Sequence, residues 1–237
     1  MRVNCFGNFG RRPRTETRGR RGRSLTTEDT SNLRFAEFTE FHGGVEKNNC
    51  INYCFSRSIT EKKIMESGKI NCYGCGALVD DIEGKPHNYI GAVQGCWNLY
   101  GQILSKEYYE YNYPELTHRL TVDTYAIQHP GQLSKQSIQS VNIHLISLYL
   151  ILCKNFSGKV VTKILGEIIA KKPKFEWIEA PVPNGTKTII DVLAANGKEE
   201  HETKVREWAE NVWDFWYKKH GKTIEKIVKL TVTVICS

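Results

Sequence analysis

Between Asn88 and His220, apolar residues recur at helical spacing, and Pro and Gly cut the pattern into pieces. Such a stripe buries one face of a helix. The spacing therefore predicts a mainly α fold, a bundle of about five helices with short connections. The first helix is expected from Asn88 to Tyr109, with Ile90, Val93, Trp97, Leu104 and Tyr108 inward. After Pro114 a second runs over Glu115 to Gln128, and His129-Pro130-Gly131 closes it, since Pro cannot continue the ladder and Gly supplies the turn. Ser134 is placed to cap a third, over 135–153, through its hydroxyl. A fourth covers 158–171 and stops before Pro173. The last is expected over 199–220, with Val205, Trp208, Val212 and Phe215 on one face, broadened by Trp213 and Trp216. Thr188–Ala195 reads as a short strand or a helical turn, and the tail TVTVICS as a short strand or a frayed end.

The charge is unevenly placed. Residues 1–64 hold 13 Lys+Arg against 7 Asp+Glu, whereas residues 65–237 hold 20 against 19. Residue choice shifts as well: 10 Arg and 3 Lys before residue 65, then 2 Arg and 18 Lys. The run RRPRTETRGRRGR at 11–23 is too polar to order itself by burial. Residues 1–64 are thus expected to be a disordered basic extension, and 65–237 a mainly helical domain. Two readings of the extension compete. It is a basic arm that binds nucleic-acid phosphates non-specifically, or the reading frame is opened too far upstream and translation starts at Met65.

The compartment follows from the cysteines. There are eight, with no apolar leader run of the secretory kind, which fits a reducing cytoplasm. The longest apolar run, Ile143 to Cys153, is about half the ~20 residues of a membrane helix and is interrupted by His144 and Ser147. A core helix, and no membrane, is the expectation.

The clearest chemistry lies in Cys72-x-x-Cys75-Gly76, an N-terminal knuckle ahead of the bundle. Two thiolates at this spacing can grip one zinc ion, which needs two further ligands. His87 stands at the start of the first expected helix. His129 ends the second, which runs antiparallel to the first. Both return to the knuckle, so the expected set is Cys72, Cys75, His87 and His129, around a structural zinc. Cys96 is the rival ligand. It lies roughly 13 Å down the axis of a helix that starts at Asn88. The bland alternative has His129 capping the second helix and His87 as a surface residue. Deeper in the bundle, Asp123, Cys96 and His144 fall at similar depths. Asp123 and His144 are candidate catalytic residues for general acid–base work or a second metal. Their plainer reading is an Asp123–Arg119 pair at i,i+4 and a core histidine. Trp208, Trp213, Trp216 and Tyr217 can stack on a ligand, but their helical spacing reads as core.

Several runs together resemble a bacterial family of unknown function, domain-of-unknown-function family 5946. They are CxxCG, HNYIGAVQGCW, HRLTVDTYAIQHPG, QSIQSVNIHLISL, FEWIEAP, TIIDVLAA and WAENVWDFWYKKH, and they span about residues 72–229. The VDxYAxQHPG run at Val122–Gly131 is the most specific. The resemblance singles out Cys72, Cys75, His87, Cys96, His118, Asp123, Tyr125, Gln128, His129, His144 and His201 without assigning them an activity. Members of that family begin close to the CxxCG, so the resemblance also favours the start at Met65.

Three functions remain open on sequence. A zinc-stabilised helical binding module comes first. A metal-dependent hydrolase using Asp123, His129 and His144 is second. Nucleic-acid binding through residues 11–23 is third.

Overall fold

The computed structural model describes residues 68–236. The chain divides into two units, Met1–Met65 and Glu66–Ser237, and the described residues all belong to the second. The expected disorder of residues 1–64, their nucleic-acid binding and the start at Met65 fall outside the described residues.

The domain is mainly helical. A short antiparallel hairpin opens it, β1 (Lys69–Asn71) paired with β2 (Leu78–Asp80). Among the described residues six helices follow: α1 (Gln94–Tyr109), α2 (Glu115–Gln128), α3 (Lys135–Leu148), α4 (Gly158–Ala170), α5 (Ile189–Leu193) and α6 (Lys198–Cys236). A π-helical turn, Tyr149–Cys153, prolongs α3. Ser134 caps α3 as its sequence position predicts, accepting from the Ser137 N–H at 3.1 Å.

Helix α2 sits at the centre and packs against α1, α3, α4 and α6. It is buried without a break from Arg119 to Gln128. Its sequence has no clean apolar face because this stretch has no solvent face. Trp208 and Trp216 on α6 are fully buried and Trp213 nearly so, so these three tryptophans form core, whereas Tyr217 is half-buried. The Trp208 indole N–H donates to Gln128 Oε1 at 2.9 Å, tying α6 to the end of α2. Among the described residues, Lys135–Cys153 is long and apolar enough to cross a membrane. However, 72% of its most apolar window is buried inside the domain, the setting of a core helix.

Two boundaries differ from the sequence expectation. Helix α1 starts at Gln94, six residues later than the apolar spacing predicts. The backbone of 89–91 is used instead to pair with 129–131. Gly91 N–H donates to His129 O at 2.8 Å, Gly131 N–H to Tyr89 O at 3.0 Å, and Ile90 bridges Pro130. The second difference is at the C-terminus. Helix α6 continues through the β-prone tail to Cys236. Ile224 and Val228, eight and twelve residues after Trp216, extend its buried face, and the intrinsic preference of Thr and Val is too weak a prior to end the helix by itself. The short strand or turn at 188–195 is a helical turn, α5, closed by a capping box between Thr188 and Asp191.

The pairing of 89–91 with 129–131 depends on glycine. A Cβ on Gly91 would stand 2.2 Å from Pro130 O, and this is backbone that cannot swing away. Gly91→Ala is therefore expected to cost about 1–3 kcal/mol, the usual range for overpacking. A urea midpoint equal to that of the parent would contradict this reading of the contact.

Candidate metal centre

The site forms where three segments meet. The hairpin turn brings Cys72 and Cys75. Its chain is folded back by Gly76 N–H donating to Cys72 O at 2.7 Å and Cys72 N–H to Ala77 O at 2.8 Å. Gly76 has a φ of +78°, a left-handed conformation that glycine adopts without strain. The first turn of α1 brings Cys96, and the end of α2 brings His129. Gly74 allows the turn to settle on the other two. A Cβ there would lie 2.4 Å from Gly91 O and 2.5 Å from His129 Cδ2.

The side-chain ligand atoms of Cys72, Cys75, Cys96 and His129 all lie within 4.8 Å of one another. Cys75 Sγ is 3.9 Å from Cys96 Sγ, and Cys96 Sγ is 3.5 Å from His129 Nε2. Tetrahedral zinc, with bonds of about 2.3 Å to sulfur and about 2.0 Å to nitrogen, sets such ligands roughly 3.5–3.8 Å apart. The donor set and its spacing fit that ion. Cys72, Cys96 and His129 are buried, and Cys75 is half-buried.

The expected ligand His87 is not in this group; Cys96 takes its place. His87 is exposed and stacks on Tyr89, with ring centroids 5.3 Å apart. Cys96 would be out of reach only in a helix beginning at Asn88. Because α1 begins at Gln94, Cys96 lies in its first turn rather than deep along its axis. The pairing of 89–91 with 129–131 moves the helix start and the ligand together.

His129 caps α2 and also stands among the cysteines. Its ring Nδ1 donates to Tyr125 O at 2.9 Å, which caps α2. That bond leaves Nε2 facing the sulfurs and would hold a neutral ring in the tautomer that offers Nε2 to a metal, the usual outer-shell arrangement of a metal-binding histidine. Tyr125 adds a hydroxyl that donates to Cys96 Sγ at 3.7 Å.

The electrostatics suit a cation. Hydrogen bonds from Cys75 and Cys96 hold the Cys72 thiol far below the ordinary thiol range. Hydrogen bonding to Cys72 and Cys75 pushes the Cys96 thiol the other way. Burial disfavours charge on His129, but the Cys72 and Cys75 sulfurs outweigh it and raise its pKa to about 9. A metal ion bound here would replace these protons, with Cys72, Cys75 and Cys96 as thiolates and His129 as a neutral imidazole.

Two further polar clusters surround α2. Asp123 accepts from His144 Nδ1 at 2.7 Å through one carboxylate oxygen and from the Ser147 hydroxyl through the other. All three residues are buried. The plainer expectation pairs Asp123 with Arg119; the structure instead gives Arg119 a bond to Thr162 Oγ1 at 2.7 Å. The second cluster centres on Glu107, which the sequence reading does not single out. Its carboxylate accepts from His118 Nδ1 at 2.7 Å, Thr121 Oγ1 at 2.6 Å and His201 Nε2 at 2.9 Å. A signal is present: Cys96, Tyr100, Ile103 and Glu107 follow one helical stripe, so an acid continues the buried face.

Burial opposes charge on Glu107, but hydrogen bonds from His118, His201 and Thr121 outweigh it and hold its carboxyl below the usual range. A depressed carboxyl contributes stability above its unfolded pKa of 4.5, and that contribution fades as pH falls through the lower folded value. Glu107→Gln is expected to be less stable than the parent near neutral pH by about 1.5–3 kcal/mol, the range for hydrogen bonds to a charged group. The gap should close as the pH drops below 4.5. Chemical denaturation of both proteins across pH checks this; a gap independent of pH would refute it.

Neither a curated protein nor a solved structure matches the chain. The model of a family of unknown function, DUF5946, matches residues 70–217, which contain all four clustered ligands and both polar clusters. That match covers more than half of the sequence, and the chain belongs to this family.

Proposed function

We propose that this domain is a zinc-stabilised helical binding module of a reducing, cytoplasmic compartment. The observation that carries the reading is the complete ligand set: three thiols and one oriented imidazole within 4.8 Å of one another. Four protein ligands leave no position for a substrate, which distinguishes structural from catalytic zinc. The four come from a hairpin, α1 and the end of α2. One ion would therefore hold together three separate stretches of chain. Free thiols at this density suit a reducing environment.

A metal-dependent hydrolase built on Asp123, His129 and His144 has less support. His129 belongs to the sulfur cluster. Both Asp123 oxygens are engaged by His144 and Ser147 within the core, so the pair is arranged to satisfy itself rather than to meet a substrate.

Metal analysis with intact mass on the full chain tests the proposal. One zinc per chain is expected, lost in Cys96→Ser and in His129→Ala but retained in His87→Ala. Chelation should unfold the domain, because structural zinc contributes on the order of 10 kcal/mol. Cobalt substitution should give the intense thiolate bands and the visible spectrum of a tetrahedral site. A metal-free, fully folded protein would overturn the proposal.

A further inference from the structure

Helix α6 has two electrostatic halves. From Lys198 to Asp214 it carries three cations against six acids. From Phe215 onward it carries five lysines against one acid, Glu225. If the helix ended at His220, lysines at 218 and 219 would simply complement its C-terminal dipole, an effect confined to the last turn. The helix runs to Cys236, so those lysines lie in its interior and that explanation fails.

Lys218, Lys222, Lys226 and Lys229 are all exposed. At 100° per residue they fall within about 80° of one another, and they extend over roughly 16 Å of helix. Lys219 is not part of the stripe: it donates to Ala180 O at 3.0 Å and lies 3.9 Å from Glu179. The hydroxyl of Tyr217 engages Glu225 at 2.5 Å and partly occupies that acid; Asp214, one turn before Lys218, is the other acid beside the stripe. Helix α4, which packs on α6, holds two lysines, Lys159 and Lys163, against one acid, Glu167, and four more lysines, at 154, 171, 172 and 174, lie in the chain on either side of it. Four like charges on one face repel one another, so this surface carries a cost that a polyanion would relieve.

We infer that the Lys218–Lys222–Lys226–Lys229 face of α6 binds the phosphate backbone of nucleic acid without reading its sequence. A membrane surface is the less suitable polyanion. An amphipathic membrane helix inserts its apolar face, but here Ile224 and Val228 on that face are buried in the domain, at 1% and 8% exposure. The stripe spans about five phosphates of one strand at 3.4 Å each, enough for one contact per lysine. The acidic half of the same helix confines binding to the C-terminal half. This inference uses neither the metal ligands nor residues 11–23.

The test uses the full chain. In lysine acetylation with a short DNA duplex bound, Lys218, Lys222, Lys226 and Lys229 should be protected and Lys204 should not. In the triple variant Lys222→Glu, Lys226→Glu, Lys229→Glu, affinity should fall. The slope of log K against log salt should lose about 3, since each duplex phosphate contact contributes about 0.9. A Lys204→Glu, Arg206→Glu variant should leave the slope unchanged, and residues 11–23 remain in every variant. The inference is overturned if the four lysines react as freely as Lys204 with duplex bound, if the triple variant keeps the parent slope, or if phosphatidylserine vesicles protect the stripe and the duplex does not. Should the triple variant fail to fold, the protection pattern on the unmodified chain decides alone.

Discussion

A polar group removed from water must find its partner inside the protein, and the central helix carries such groups on several faces. Helix α2 is buried from Arg119 to Gln128, yet it includes Thr121, Asp123 and Gln128, and His129 follows it. Each reaches a different neighbour. Thr121 bonds Glu107 of α1, Asp123 bonds His144 and Ser147 of α3, and Gln128 accepts from Trp208 of α6. His129 faces the cysteines. An unpaired buried polar group costs about 1–3 kcal/mol, and a charged one more. These bonds therefore specify which helix lies on which side of α2 more sharply than apolar packing, which tolerates many arrangements.

The candidate metal centre is the outer end of the same scheme. The chain leaving the last turn of α2 presents His129. The backbone beyond it pairs with 89–91 and so sets where α1 can begin. That start delivers Cys96 to the cluster, and small glycines let the hairpin close over it. A bound ion would join three chain segments at this end of the bundle. Glu107 acts at the other end of α1, where His118 of α2 and His201 of α6 converge on one carboxylate. Helix α1 is thus held at both ends by polar clusters, with Tyr100 and Ile103 buried between them.

Much of this is legible in the chain itself. Apolar spacing and Ser134 locate α3 and α4 closely, and Pro114 and the His129-Pro130-Gly131 run bound α2. The CxxC spacing and the helix-terminal position single out Cys72, Cys75 and His129, and the structure brings these three together. Two departures share one origin. Ile90 and Val93 fit a helical stripe, which extends the first expected helix back to Asn88 and makes Cys96 look too deep to reach the knuckle. Glu107 escapes notice because an acid is ordinarily read as solvent-facing, although its position continues a buried stripe.

The amino-acid sequence alone determined the helical character of the domain, the separation of an Arg-rich segment from a Lys-rich one, and the pairing of Cys72 with Cys75, because propensity, periodicity and short-range spacing act within a few residues. Only the tertiary structure decided that Cys96 joins their cluster, the partners of Asp123 and Glu107, and the full length of α6. The bridge that starts α1 at Gln94 joins residues some forty positions apart, the bonds from α6 to α1 and α2 span eighty or more, and the burial of Ile224 and Val228 that extends α6 exists only in the packed domain. No local pattern encodes such pairings, since their energy is realised only when distant segments meet.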